Sequence, residues 1–200
     1  ESITAVELNP VTVSLLRERF AEYTGRLAEH EKVTLVSAEG RSFLHRDDAQ
    51  YDLVYFVAPD SYASMNAAQA SGFVLVEGYL YTREAIQEVF RHLAPGGVLC
   101  MQFGEVDYRN SPNRTSRYLS TARQALQELG MHDFASRVLL ATNVSFPVHS
   151  STILLSNERF TEEQIDALAG LAEKSPDMVL RHPAGRPGDH RAVPNGVINA

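Results

Sequence analysis

The chain has 200 residues, a net charge of −7, 44% hydrophobic residues and 22% charged residues, a composition typical of one soluble globular domain. The negative charge argues against general nucleic-acid binding, because proteins of that class carry a basic surface. The single cysteine, Cys100, excludes an internal disulfide and a cysteine-based zinc site, and it indicates a reducing, cytoplasmic setting. No apolar run approaches the roughly 18–20 residues of a membrane span.

Apolar periodicity predicts strands that alternate with helices along the chain. The predicted strands cover residues 3–8, 33–36, 52–57, 98–103, 138–142 and 152–156. The predicted helices cover residues 10–29, 42–44, 82–93, 115–129 and 161–171. This alternation implies an α/β fold with a mostly parallel sheet and helices on both faces. The short connection between the last two strands predicts an antiparallel hairpin at one edge, and the combination is typical of the doubly wound, Rossmann-like methyltransferase sheet.

Three stretches carry more detailed expectations. Helical spacing of five apolar residues predicts that one face of the helix 10–29 is buried; these residues are Val13, Leu16, Phe20, Tyr23 and Leu27. The near-continuous apolar run at 52–57 predicts a parallel strand covered on both faces. Residues 173–200 are rich in proline and glycine and are predicted to be a tail or linker, which leaves residues 1–172 as the domain.

The chain begins with a short apolar strand that ends in the carboxylate of Glu7, and Pro10 then opens a helix. In nucleotide-binding α/β sheets, an acid at the end of the second strand accepts hydrogen bonds from the two ribose hydroxyls. Glu7 is therefore predicted to bind a ribose diol. The alternative is that Glu7 only complements the positive end of the helix that follows.

In nucleotide-binding sheets of this kind, another strand and a Gly-rich turn normally precede the strand that ends in the acid. This sequence contains neither of them before the strand that ends at Glu7. The sequence therefore predicts a sheet that lacks its first strand, as expected of a fragment. Backbone groups beside the missing strand would stay unpaired, so we expect these 200 residues alone to bind a nucleoside weakly or not at all. A micromolar dissociation constant measured on this chain would contradict that expectation.

Four motifs occur in a characteristic order. They are Val-Glu-Leu-Asn-Pro at 6–10, Ala-Glu-Gly-Arg-Ser-Phe-Leu at 38–44, Tyr-Asp-Leu-Val at 51–54 and Leu-Ala-Pro-Gly-Gly-Val-Leu at 93–99. Together they resemble the spermidine synthase-like family of polyamine aminopropyltransferases, a branch of the S-adenosylmethionine-dependent methyltransferase fold. The segment 77–84 resembles a bacterial subgroup in which this domain is often joined to membrane helices. That resemblance implies a cytosolic domain of a membrane protein as an alternative to a free cytoplasmic enzyme.

The resemblance also implies roles for individual residues. Glu7 would hold the ribose of a sulfonium nucleoside, and Glu39 would take the place of the acid in an Asp-Gly-Arg motif that recognises the adenine amino group. Gly40 would allow the backbone to approach the base closely. A solvated loop acid is the alternative interpretation of Glu39. The implied co-substrate is S-adenosylmethionine or its decarboxylated form, with no metal, and spermidine synthases commonly form dimers, which implies a homodimer.

The acceptor side departs from the family pattern. Aminopropyltransferases carry two acids after the next strand, and here Val57 stands at the place of the first acid while Asp60 stands at the second. Asp60 is therefore the predicted catalytic and acceptor-binding residue, with a simple turn as the alternative. Gln102 resembles the glutamine of a Gln-Gly-Glu motif and is predicted to bind substrate. Tyr81 is a further substrate-binding candidate, with a place in the core as its alternative.

Four functions remain open from the sequence. The first is aminopropyl transfer from decarboxylated S-adenosylmethionine to a small-molecule amine, and the second is methyl transfer from S-adenosylmethionine to an amine or another nucleophile. The loss of the first acid at Val57 favours methyl transfer, because a more nucleophilic acceptor relies mainly on alignment, and it equally favours a domain with little catalytic activity; the family resemblance favours aminopropyl transfer. The third is a catalytically weak nucleoside-binding domain of a membrane protein. The fourth, an NAD-binding domain, is disfavoured by the predicted hairpin and by the Glu39-Gly40 motif.

Overall fold

The structure is a computed structural model that describes residues 1–56, 78–105, 107–143, 149–186, 188 and 193–200. Residues 1–48 and residues 49–200 form two compact units, because most contacts between residues lie within one or the other of these ranges. Both units combine helices with β-strands, which confirms the predicted α/β fold, and the strands of the second unit pair in both parallel and antiparallel directions.

The first unit is built on two parallel strands, β1 (Ile3–Glu7) and β2 (Val33–Ser37). Helix α1 (Pro10–Arg17) follows β1, and helix α2 (Gly40–Arg46) follows β2. A short 3₁₀ turn, Leu27–Glu29, precedes β2. Each helix therefore begins directly after the carboxyl end of a strand, which is where ligands bind in open α/β sheets.

Helix α1 ends at Arg17, whereas the sequence predicts a helix to residue 29. Turns replace the helix from residue 18 onward, and two consecutive residues, Gly25 and Arg26, adopt left-handed backbone with φ values of 65° and 57°. Of the predicted apolar stripe only Val13 is buried, and Tyr23 is 90% exposed. Most helical stability comes from packing of an apolar face, so a stripe without packing does not sustain a long helix.

The second unit is built on a five-stranded mixed sheet with the order β3-β4-β6-β5-β7. Its strands are β3 (Tyr51–Phe56), β4 (Leu93–Glu105), β5 (Val138–Asn143), β6 (His149–Ser156) and β7 (Met178–His182). β3 and β4 pair in parallel, and the remaining neighbours pair antiparallel. The predicted antiparallel hairpin is therefore confirmed as β5 and β6, and β7 extends the sheet beyond β5.

Among the described residues, the second unit has four helices: α3 (Arg83–Arg91), α4 (Asn113–Glu128), α5 (Glu162–Lys174) and α6 (Val193–Asn199). Thr82 caps α3 by accepting a hydrogen bond from the Ala85 backbone. Thr161 and Gln164 form a capping box, with both of its hydrogen bonds, at the start of α5, where the sequence predicts that a helix begins. Helix α4 packs against α3 and α6, and α3 and α4 both contact β4.

One face of the five-stranded sheet forms the apolar core. Its fully buried strand residues are Leu99, Met101, Leu140, Ile153 and Leu155, which face the buried helix residues Ile86, Val89, Leu119, Ala122 and Leu126. The opposite face is more exposed at β3, where Leu53 is 54% exposed and Tyr55 is 44% exposed. The expectation that β3 is covered on both faces is therefore wrong for the described residues. Among the described residues, β3 pairs with one strand, β4, and lies at the edge of the sheet.

The segment 173–200 contains regular structure where the sequence predicts a tail or linker. β7 pairs with β5, and α6 buries Ile198 at 2% exposure. The Arg123 guanidinium on α4 donates to the backbone oxygens of Val197 and Ala200 at the end of α6. Prolines and glycines do mark turns in this segment. The five-residue strand β7, however, depends on pairing with β5, and the local sequence does not reveal that distant partner.

Gly97 lies at a close approach between β4 and β3, and we expect its replacement by alanine to destabilise the fold. A Cβ atom there would lie 2.8 Å from the backbone oxygens of Ala94 and Tyr51. These are backbone atoms, so the clash cannot be relieved by the rotation of a side chain. The expected loss in the free energy of unfolding, measured by urea denaturation, is about 1–3 kcal/mol.

Gly170 is the matched control for that prediction, because it lies within α5 and an added Cβ would meet no atom within 4 Å. Gly170→Ala should leave stability unchanged or raise it by about 0.5–1 kcal/mol, as expected for a helix interior. Equal effects of the two substitutions would show that the close approach at Gly97 is unimportant.

Candidate functional site

Two acids lie at the same edge of the parallel pair in the first unit. Glu7 is the last residue of β1 and pairs in register with Ser37, the last residue of β2. Glu39 follows two residues later, immediately before α2. The backbone oxygen of Glu7 accepts a hydrogen bond of 3.1 Å from the amide of Ala38, which joins the two strand ends. The structure therefore places Glu7, Glu39 and Gly40 at neighbouring strand ends, as the sequence requires for a common site.

Glu39 is the N-cap of α2 rather than a solvated loop acid. Its Oε1 atom accepts a hydrogen bond of 2.9 Å from the amide of Arg41, and its Oε2 atom accepts one of 2.7 Å from the amide of Ser42. Partial burial raises the pKa of this carboxyl, but the hydrogen bonds from Arg41 and Ser42 outweigh burial and lower the pKa below its ordinary value. Glu39 is thus a fixed, ionised acceptor, and a carboxylate oxygen can accept a second hydrogen bond from a ligand.

The Glu7 carboxylate is held in place by the turn that leads into α1. Its Oε1 atom accepts a hydrogen bond of 2.7 Å from the amide of Asn9, and the Asn9 side chain in turn accepts from the amide of Val11. Among the described residues the Oε2 atom has no hydrogen-bond donor. The half-buried carboxylate therefore combines a fixed orientation with an oxygen that is available to a ligand.

Two exposed apolar residues lie beside Glu7 and were not identified from the sequence. Leu8 is 55% exposed and Val11 is 60% exposed. Exposed apolar side chains next to fixed acceptors suit a ligand with a flat apolar ring and polar edges. The signal in the sequence is an apolar residue placed directly after a strand-ending acid.

The second unit separates two of the predicted substrate-binding residues. Tyr81 packs its ring against Phe103 and Tyr118 in the aromatic layer under α4, with ring centroids 5.5 Å and 6.4 Å apart. Gln102 precedes Phe103 on β4, so its side chain points to the other face of the sheet. There it contacts Tyr55 and Thr152. The substrate-binding roles of Tyr81 and Gln102 both remain predictions, but the two side chains do not share a face.

Glu105 also differs in position from the glutamate of a Gln-Gly-Glu motif. Phe103 is an extra residue between Gln102 and Glu105, and one extra residue in a strand moves a side chain to the opposite face. Glu105 is 4% exposed, and its Oε1 atom accepts hydrogen bonds of 2.7 Å and 2.9 Å from the amide and hydroxyl of Thr115. It therefore anchors the first turn of α4.

Asp60, predicted to be the catalytic residue, and Val57 both lie outside the described residues. Within the described ranges, no group of three or more His, Cys, Asp or Glu side chains is arranged to hold a metal ion. None of the helices in those ranges combines the length and apolar character that a membrane crossing requires.

A sequence profile of the spermine/spermidine synthase domain matches residues 1–146, which is more than half of the chain. Among proteins of curated function, none matches this chain in sequence.

Solved structures show the same fold. A probable spermidine synthase from Corynebacterium glutamicum aligns with a TM-score of 0.56 at 16% identity, over 87% of this chain and 55% of its own. Spermidine synthase from Thermotoga maritima aligns with a TM-score of 0.53 at 16% identity, over 82% of this chain and 48% of its own. The chain thus spans about half the length of the structures that it resembles.

Proposed function

Because the chain belongs to the spermine/spermidine synthase domain family, we propose that it acts as a transferase on a sulfonium nucleoside and moves an aminopropyl group to an amine acceptor. The observation that supports this proposal best is the pair of fixed carboxylates, Glu7 and Glu39, at adjacent strand ends. A ribose diol and an adenine amino group are both hydrogen-bond donors, and two ionised acceptors suit them. The exposed Leu8 beside them suits the face of the base.

The proposed reaction needs little from the protein beyond alignment and a proton acceptor. The amine nitrogen attacks the carbon next to the sulfonium, a C–N bond forms, and the C–S bond breaks with its electron pair going to sulfur. The product nucleoside is then a neutral thioether, and the amine loses a proton. Asp60 is the residue that we propose accepts this proton and orients the acceptor, because it matches the surviving acid of the family motif.

Methyl transfer from S-adenosylmethionine is the second candidate, and a specific observation favours it. Val57 takes the place of the first acid, so the chain has one carboxylate where aminopropyltransferases have two. An acceptor that is neutral and nucleophilic at pH 7 needs less general-base assistance than an ammonium. A catalytically weak nucleoside-binding domain of a membrane protein is the third candidate.

A transfer assay distinguishes these candidates. The complete gene product is incubated with 1,4-diaminobutane and either decarboxylated S-adenosylmethionine or S-adenosylmethionine, and products are identified by mass spectrometry. We expect the diamine to gain the mass of an aminopropyl group with the decarboxylated co-substrate alone, and Asp60→Asn to reduce that rate by about 10²–10⁴-fold. Gain of a methyl group supports the second candidate. Binding of 5′-methylthioadenosine without any transfer supports the third candidate, a weakly catalytic nucleoside-binding domain. If the protein binds none of the three nucleosides, all three candidates are contradicted.

A further inference from the structure

Three polar side chains form a hydrogen-bonded row across three adjacent strands of the second unit. The Tyr55 hydroxyl on β3 donates to Gln102 Oε1 on β4 over 2.7 Å. Gln102 Nε2 then donates to Thr152 Oγ1 on β6 over 3.1 Å. Gln102 and Thr152 are directly opposite each other in the antiparallel pairing, whereas Tyr55 is in register with Cys100, so the row crosses the strands diagonally. We refer to these residues as the Tyr55–Gln102–Thr152 row.

The row lies on the face of the sheet opposite the apolar core. Tyr55 is 44% exposed, and Gln102 and Thr152 are half-buried. Leu53 is two residues before Tyr55, on the same face, and is also exposed. A polar row here is not needed to satisfy buried groups of the core, whose face is separate. Its position near the carboxyl end of the parallel pair β3 and β4 is one where ligands bind in open α/β sheets.

The row has a direction, and this direction determines what it can offer to a ligand. Tyr55 donates its only hydroxyl hydrogen to Gln102, so its oxygen is left with acceptor capacity alone. Burial, with a smaller contribution from Cys100, raises the pKa of the Tyr55 phenol, and burial raises the pKa of the Cys100 thiol to about 11. Both groups therefore stay neutral near pH 7. The Tyr55 hydroxyl therefore fixes the Gln102 carbonyl as a neutral acceptor, and the second lone pair of that oxygen suits an amine N–H.

We propose that Tyr55 is a positioning residue, which orients the Gln102 amide on this face of the sheet so that the row engages the amine acceptor. The proposal rests on the proposed transferase function. It deepens that function by assigning acceptor recognition to neutral hydrogen-bonding groups on β3, β4 and β6. Donation by Tyr55 holds the Gln102 carbonyl toward β3 and leaves the amide nitrogen toward β6. Removal of the phenol oxygen takes away one of the two hydrogen bonds that orient the amide, while the aromatic ring stays.

A kinetic comparison of Tyr55→Phe with the unchanged protein tests the positioning role. We expect the KM for 1,4-diaminobutane to rise about three- to tenfold, the effect of one neutral hydrogen bond, with the KM for the nucleoside unchanged. Tyr23→Phe is the matched control, because Tyr23 is 90% exposed and belongs to the other unit. A purely structural role of Tyr55 would instead lower the melting temperature and change both KM values together.

A second measurement does not depend on turnover. The side-chain amide resonances of Gln102 are assigned by their loss in Gln102→Met, and 1,4-diaminobutane is then titrated in an NMR experiment. We expect these resonances to shift with the diamine, and the response to disappear in Tyr55→Phe. An unchanged response in Tyr55→Phe, or no response in the unchanged protein, overturns the proposal. Absence of transfer with every amine would contradict the proposed function, whereas the NMR result decides the role of Tyr55 separately.

Discussion

Replacement of Glu105 by alanine is expected to lower the free energy of unfolding by about 2–4 kcal/mol. The carboxylate is nearly fully buried and accepts two hydrogen bonds from Thr115 in the first turn of α4. The Thr115 hydroxyl hydrogen is used on Glu105, so the hydroxyl of Ser151, 2.7 Å away, donates to Thr115. Loss of the carboxylate would leave a buried amide and hydroxyl without an acceptor and open a cavity. Urea denaturation monitored by circular dichroism measures the effect.

Two further variants identify the cause of that loss. Glu105→Gln keeps an acceptor oxygen of similar shape but removes its charge, so we expect a smaller loss of about 1–2 kcal/mol. Glu173→Ala removes an exposed carboxylate from α5 and should change stability by no more than about 0.5 kcal/mol. If Glu105→Ala were as mild as Glu173→Ala, the hydrogen bonds to Thr115 would not contribute to stability.

Replacement of Glu7 by alanine is expected to weaken nucleoside binding by about 10- to 100-fold, the value of charge-assisted hydrogen bonds to a diol. Stability should change little, because within the part of the chain that the structure describes the half-buried carboxylate accepts one hydrogen bond, from the amide of Asn9. Isothermal titration of 5′-methylthioadenosine into the complete gene product measures the affinity. Glu31→Gln, an exposed acid in the same unit, is the control and should bind as the unchanged protein does.

Glu39→Ala should behave differently from Glu7→Ala, because Glu39 also caps α2. We expect a loss of about 0.5–2 kcal/mol in the free energy of unfolding in addition to weaker binding. If Glu7 only complements the positive end of α1, Glu7→Ala would change stability slightly and leave the affinity within twofold of the original, as Glu31→Gln would. That result would remove the main support for a nucleoside site at this edge.

The strand-ending acids could be identified from the sequence because their signal is local. An apolar run that ends in an acid, followed by proline or glycine and a helix, marks the carboxyl end of a strand wherever it lies in the fold. Glu7 and Glu39 lie at such ends, and the parallel register of β1 and β2 makes them neighbours. The N-cap role of Glu39 was missed, although a side-chain acceptor directly before a helix is a recognised capping signal.

Gln102 and Glu105 show where local patterns fail. Both residues correspond to positions of the Gln-Gly-Glu motif, yet their side chains point to opposite faces of β4. The reason is the extra residue Phe103, since one added residue reverses the alternation of side chains between the two faces of a strand. Gln102 joins the Tyr55–Gln102–Thr152 row, and Glu105 anchors α4. The assignment of faces depends on which side the helices pack, and this packing involves residues far apart in the chain.

The sequence by itself determined the α/β alternation, the hairpin of β5 and β6, the capping box of α5 and the positions of the acids, since each depends on neighbouring residues or a short period. Tertiary structure alone decided that α1 ends at Arg17, that residues 178–182 form a fifth strand of the sheet, and that Tyr55 contacts Gln102. These outcomes depend on whether a distant partner is present, since packing and strand pairing supply the free energy that local propensity lacks.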